Sequence, residues 1–183
     1  MAEKWKTLNH KKIVQLSDPS EIIPYTLISQ EGTDVSYTFI TDHNIQYVVR
    51  YVCSTDYYFD NSSDIGDTEI LEFQFVPIEK GIKLVRDLRI AETLATSMKN
   101  VLRLRKNAIL YIRDKSDGKQ AARSKLFHKW YKKYSWEMIE KLDGKLVNPN
   151  SPESEYVSLI INAENPYADN IIEAFSFIME SDK

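Results

Sequence analysis

Apolar and polar residues alternate along several short segments in the first half of the chain. In Ile45–Ser54, every second residue from Ile45 to Cys53 is apolar, and the residues between them are mostly polar. A period of two is typical of a strand that buries one face. Similar segments, bounded by turn-forming residues, occur at Pro24–Ser29, Val35–Thr41 and Glu69–Val76. Together they predict a β-meander.

Three later segments place apolar residues three or four positions apart, which is typical of amphipathic helices. Asp87 and Asp117 precede the first two, where a carboxylate caps a helix by accepting first-turn amide hydrogens. Apolar strands are predicted at Ala108–Ile112 and Tyr156–Ile161, and a hairpin around the Asp-Gly pair in Met138–Val147. This order predicts an α+β fold with a mainly antiparallel sheet, built from the N-terminal meander and the later strands, and about three helices packed on one side.

The central helix is predicted to begin near Gly118 and to be apolar on one side only. Its apolar stripe consists of Ala122, Leu126, Trp130 and Tyr134, widened by Phe127 and Tyr131. Placing residues about 100° apart puts four lysines on the opposite side. These are Lys125, Lys129, Lys132 and Lys133. We expect the stripe to pack against the sheet and the lysines to face solvent.

The same wheel places Arg123 inside the apolar sector, where an unpaired guanidinium is unfavourable. The nearest carboxylates in sequence are Asp114 and Asp117. In one interpretation Asp117 caps the helix, Asp114 closes the turn and Arg123 ties both to the core. In the other, the two carboxylates hold a cation or a sugar hydroxyl while Arg123 receives a phosphate, as in a small hydrolase or transferase.

Length and composition predict one domain. The chain has 183 residues, 43% of them hydrophobic, which is enough for an ordinary core. We expect residues 1–23 to form an N-terminal arm and residues 24–183 a single α+β domain. No apolar run approaches the roughly 18 residues of a membrane span, the first residues are too polar for a signal peptide, and Cys53 is the single cysteine. A cytoplasmic location without membrane contact is therefore expected.

Charge is distributed unevenly along the chain. Between Lys99 and Lys133 there are 12 Lys or Arg residues against two acids, so this segment carries +10 while the whole chain carries −3. Such segregation predicts an electrostatic partner. The partner would be an acidic protein, a nucleic acid, or the protein's own acidic segment between Asp56 and Glu72, within one molecule or in self-association.

The residues do not predict a catalytic site. There is no glycine-rich phosphate loop, no nucleophile elbow and no helical His-Glu pair. His10, His43 and His128 fall in separate segments, and the aspartates of Asp56–Thr68 lack the spacing of a calcium loop. We therefore expect no metal and no cofactor.

Four stretches of the chain resemble an uncharacterised bacterial family of domains of unknown function. They are YIRDKSDGKQAARSKLFHKWY (Tyr111–Tyr131), DHNIQYVVRY (Asp42–Tyr51), RDLRIAETL (Arg86–Leu94) and ENPYADNIIEAF (Glu164–Phe175). The resemblance spans most of the chain after Pro24. It implies a single-domain bacterial protein and brings no catalytic residues with it.

The function expected from the sequence is a non-enzymatic interaction module. Its basic helix would present Lys125, Lys129, Lys132 and Lys133 to an anionic partner. In the alternative of RNA or DNA binding, the same lysines would contact phosphates. Aromatic residues nearby could stack on bases, but most of them lie on the face assigned to the core.

Overall fold

The structure, a computed structural model, describes residues 22–32, 34–59, 64–82, 85–112, 120–134, 138–146 and 155–181. Residues 1–21 of the predicted N-terminal arm, Asp114 and Asp117 lie outside these residues. So do the predicted start of the central helix and its cap.

Seven strands and four helices make up the described part of the chain. The strands are β1 (Ile28–Ser29), β2 (Val35–Ile40), β3 (Gln46–Cys53), β4 (Glu69–Pro77), β5 (Asn107–Ile112), β6 (Ile139–Leu146) and β7 (Glu155–Asn162). The helices are the single turn α1 (Thr55–Tyr58), α2 (Leu88–Leu102), α3 (Gln120–Tyr134) and α4 (Ala168–Ser181).

The strands form one sheet in the order β1-β2-β3-β4-β5-β7-β6. The pair β4 and β5 is parallel, with α2 as its crossover, and every other neighbouring pair is antiparallel. The predicted α+β class and the mainly antiparallel sheet are confirmed. The predicted meander corresponds to β1–β4, although its first strand is only two residues long. The chain before β1 instead packs towards α2, because the Tyr25 amide donates to Thr93 Oγ1 at 2.8 Å.

Helices cover both faces of the sheet, so the prediction that they pack on one side is wrong. On one face α2 and α3 pack over residues such as Tyr51 and Ile109. On the other, α4 packs its Ile171 and Phe175 over Leu110 and β7. The reason lies in β5 and β7, which are buried on both faces: Ala108, Ile109 and Leu110 are each at most 1% exposed. A single helical layer would leave half of these side chains in water.

The Asp143-Gly144 pair lies within β6, so the predicted hairpin at Met138–Val147 is wrong. Asp143 pairs with Ser158 and Gly144 with Val157 in a continuous antiparallel ladder. A Cβ at position 144 would collide with the side chain of Met179 on α4. Gly144 therefore allows α4 to approach the sheet closely. In the sequence, a glycine needed for such packing cannot be distinguished from a glycine needed in a turn.

The prediction that Asp87 caps α2 is confirmed. Its carboxylate accepts the Arg89 amide hydrogen at 2.8 Å, and Tyr25 Oη donates to the same carboxylate at 2.7 Å. In the core beneath α2, the hydroxyls of Tyr51 and Ser97 form a 2.7 Å hydrogen bond. Tyr51 is 1% exposed, and this burial raises the pKa of its phenol.

Candidate functional site

The candidate site is the outer surface of α3, which carries the four lysines identified in the sequence. Lys125, Lys129, Lys132 and Lys133 are all exposed, as is His128 beside them. Lys125, Lys129 and Lys133 recur at intervals of one helical turn and form a ridge about 12 Å long. We call these four lysines the basic ridge.

Aromatic side chains hold α3 against the sheet. Phe127 is 6% exposed, and its ring centroid lies 4.4 Å from that of Tyr111 on β5. Tyr131 Oη donates to the carbonyl of Ile139 on β6 at 2.8 Å. These rings are committed to packing and hydrogen bonding, so they are not available to stack on nucleic-acid bases.

The packed side of α3 is centred on Phe127, and the predicted stripe was misplaced. Leu126, expected in the centre of the buried stripe, is 46% exposed. Phe127 was expected only to widen that stripe, yet it is the most buried described side chain of α3. Aromatic residues flank the stripe on both sides, and the contact with Tyr111 determines which of them faces the sheet.

Two lysines of the basic ridge, Lys125 and Lys129, make no ion pair with any part of the chain that the structure describes. Lys133 Nζ donates to Tyr134 Oη at 2.9 Å, and this hydrogen bond, with a smaller contribution from Glu92 on α2, raises the pKa of the Lys133 ammonium. The ammonium groups of Lys125 and Lys129 therefore remain available to an anionic partner.

In the part of the chain that the structure describes, three acidic residues pair with basic residues outside α3. Arg89 binds Asp42 at 2.7 Å, Arg105 binds Glu164 at 2.5 Å and Lys106 binds Asp67 at 3.1 Å. The last contact lowers the pKa of the Asp67 carboxyl. All three basic partners belong to α2 or to the turn that follows it, so none of these three ion pairs involves Lys125 or Lys129 of α3.

The proposed polar cluster of Asp114, Asp117 and Arg123 lies outside what the structure describes in full. Both aspartates lie outside the described residues. For Arg123 the structure describes only the backbone, which is part of α3. The hydrolase or transferase interpretation of these residues stays a prediction.

A second polar cluster lies beneath α3 and was missed in the sequence. Lys141 on β6 has a side chain that is 2% exposed, and it forms an ion pair with Asp143. Asp143 also accepts a hydrogen bond from Ser158 Oγ at 2.5 Å. The Lys141 ammonium lies 5.8 Å from the Tyr131 ring centroid and 6.0 Å from that of Phe127. The signal was present in the alternation of β6, which puts Ile139, Lys141 and Asp143 on one face.

Among the residues that the structure describes, no three His, Cys, Asp or Glu side chains come together in a way that would hold a metal ion. Within the same residues, none of the helices has the length and apolarity needed to cross a membrane.

The described residues form an α+β fold in which α3, a helix with four exposed lysines, packs on one face of the sheet. Residues 86–177, from just before α2 into α4, match the model of a family of unknown function, DUF6169. The chain belongs to this family, as the resemblance of its central stretch implied. No curated protein matches the chain at a significant level.

Proposed function

We propose that this protein is an interaction module whose basic ridge binds an acidic segment of a partner protein. The observation that carries the proposal is the exposure of Lys125 and Lys129 without an ion pair in the described chain. Two ammonium groups one helical turn apart match carboxylates repeated at the same spacing on a partner. The proposal includes a cytoplasmic location. With Cys53 as its single cysteine the chain has no internal disulfide, as is usual for cytosolic proteins.

An acidic protein accounts for the site better than a nucleic acid does. Nucleic-acid binding through this helix would rest mainly on phosphate contacts, because Phe127 and Tyr131 are occupied by packing and hydrogen bonding and Trp130 and Tyr134 are partly buried. The chain as a whole carries −3, which opposes the approach of a long polyanion. A short acidic segment would contact only the ridge, so the negative charge on the rest of the chain would repel it less.

The test compares charge reversal on the ridge with an equal reversal elsewhere. In K125E/K129E we expect a labelled glutamate-rich peptide to bind about tenfold more weakly, since two exposed charge pairs become repulsions. The control is R50E/K80E, in which both residues are also exposed and the net charge changes equally. It should bind as the unaltered protein does. Equal binding by all three proteins contradicts the proposal.

A salt titration separates the two classes of partner. A single-stranded oligonucleotide held by phosphate contacts loses affinity steeply with salt, with a slope of about 0.7 per phosphate contact. If the oligonucleotide binds more tightly than the peptide and K125E/K129E lowers that slope, the partner is a nucleic acid.

A further inference from the structure

An apolar groove runs between α2 and α3 beside the basic ridge. Its volume is about 40 Å³, and its lining is almost entirely apolar. The walls are Ala91, Leu94, Ala95 and Met98 from α2 and Phe127, Trp130, Tyr131 and Tyr134 from α3, above Ile160 of β7. All of these residues fall within the segment that matches the family.

The groove exists because the two walls have side chains of different size. The small Ala91 and Ala95 of α2 and the large Trp130 and Tyr134 of α3 line the same groove. A cavity needs about 10–15 Å³ for one water molecule, so this volume admits roughly three groups of that size. The branched end of one aliphatic side chain fits such a space, and a folded domain does not.

The α3 rim of the groove combines an exposed apolar residue with lysines. At about 100° per residue, Leu126, Lys129 and Lys133 lie on the Trp130 side of α3. The electrostatic effect of Glu92 on Lys133 places α2 on that same side. Leu126 is 46% exposed, and Leu88, about one helical turn before Ala91 on α2, is 59% exposed. Apolar surface therefore continues from the groove outward to the lysines.

We propose that the occupant of this groove is an acidic amphipathic helix of the partner, which inserts one aliphatic side chain between α2 and α3. This inference rests on the proposed function, because the helix would place its carboxylates on Lys125 and Lys129. Those lysines repeat every helical turn, as do acids at successive i and i+4 positions of a partner helix. Helix-in-groove binding of this kind combines an apolar anchor with charged flanks.

The charge of the rim selects among possible occupants. Residues 1–21 of the chain carry four lysines against three acids, so this segment brings no net negative charge to the ridge. An uncharged apolar helix would offer no carboxylates to Lys125 and Lys129. An acidic helix with an aliphatic anchor satisfies both the groove and the ridge.

The experiment uses two synthetic helical peptides of about five turns. Both carry glutamates at i and i+4, and one has a central leucine where the other has serine. The unaltered protein should bind the leucine peptide about tenfold more tightly, the gain expected from burying one aliphatic side chain. In W5F/W136F, which retains Trp130 as the single tryptophan, the leucine peptide alone should shift the emission to shorter wavelength.

Filling the groove separates this inference from the proposed function. Ala95→Leu occupies the groove without removing a lysine, so both peptides should then bind equally, whereas K125E/K129E should weaken both. If circular dichroism shows that Ala95→Leu does not fold, Ala95→Met is used to fill the groove instead. Equal binding of the two peptides by the unaltered protein, or an undiminished leucine preference in the filled variant, would overturn the inference and leave the proposed function standing.

Sedimentation of the protein alone tests a different occupant. We expect a mass that does not change with concentration. A dimer that Ala95→Leu dissociates would show that a second copy of this chain occupies the groove, and would overturn the assignment to an acidic partner.

Discussion

The ring of Phe127 on α3 lies 4.4 Å from the ring of Tyr111 on β5, with the two planes inclined by 37°. Tyr111 in turn makes an edge contact with Phe73 on β4, centroid to centroid 5.7 Å. This row of aromatic residues fixes which side of α3 faces the sheet, and therefore which side presents the lysines.

Truncating Phe127 should destabilise the protein far more than truncating its neighbour. For Phe127→Ala we expect a loss of about 4 kcal/mol in the free energy of unfolding, the usual cost of emptying an aromatic site in a core. Leu126→Ala is the control, and because Leu126 is 46% exposed its effect should stay within about 0.5 kcal/mol. Urea denaturation of both variants measures the difference. The opposite ranking would restore the stripe centred on Leu126.

Burial of Tyr51 should make the folded protein less stable at alkaline pH. Burial raises its pKa above the ordinary value of 10.0, so above that pH the unfolded chain loses a proton that the folded chain keeps. The folded state should therefore lose about 1.4 kcal/mol per pH unit from this residue as the pH rises. Denaturant titrations at neutral pH and above pH 10.0 measure the loss.

Tyr51→Phe provides the control for that pH dependence. At neutral pH it should cost about 1 kcal/mol, because the hydrogen bond with Ser97 is removed. Above pH 10.0 the variant should lose less stability than the unaltered protein. Parallel pH profiles for the two proteins would show that Tyr51 ionises as freely in the fold as in water.

Replacing Lys141 and replacing Asp143 should lower the free energy of unfolding by different amounts. The Lys141 side chain is 2% exposed and that of Asp143 is 51% exposed. Asp143→Asn leaves a buried ammonium without its charged partner, which we expect to cost about 3 kcal/mol. Lys141→Met leaves a carboxylate that reaches water and puts an apolar chain beside Phe127 and Tyr131, so its cost should stay below about 1 kcal/mol.

The double variant K141M/D143N completes that comparison. It should be more stable than Asp143→Asn alone, because no buried charge remains. Thermal unfolding followed by circular dichroism measures all three variants. Equal costs for the two single variants would mean that the Lys141 ammonium reaches solvent.

Gly144→Ala tests the packing of α4 against the sheet. A methyl group at position 144 would meet Met179, so we expect a loss of about 2 kcal/mol in the free energy of unfolding. The matched control is Gly32→Ala, where an added Cβ has no atom within 4 Å. A neutral effect at both positions, measured by urea denaturation, would indicate that α4 does not lie over β6.

Features of the fold that depend on neighbours in sequence were predictable, and those that depend on distant partners were not. Asp87 caps α2 through the amide of Arg89, two residues away, so the sequence around it sufficed. The orientation of α3 depends on Tyr111, which lies in another strand. The sequence shows an apolar β5 but cannot show that β5 is central and needs cover on both faces.

The candidate site divides in the same way. Periodicity alone places Lys125 and Lys129 on the outer side of α3, and both are exposed. The groove could not be predicted, because it depends on how Ala95 of α2 faces Trp130 of α3. The alternation of β6 contained a signal for the burial of Lys141, but the Asp-Gly pair after it favoured a turn over a strand.

The position of β6 affects the protein while it is being synthesised. In the described sheet β6 is an edge strand hydrogen-bonded to β7, yet it leaves the ribosome first. Until β7 emerges, its backbone amides and carbonyls are open to pairing with strands of other nascent chains. Glu140, Lys141, Asp143 and Lys145 place charge on both of its faces, which protects the newly made strand from aggregation before its neighbour arrives.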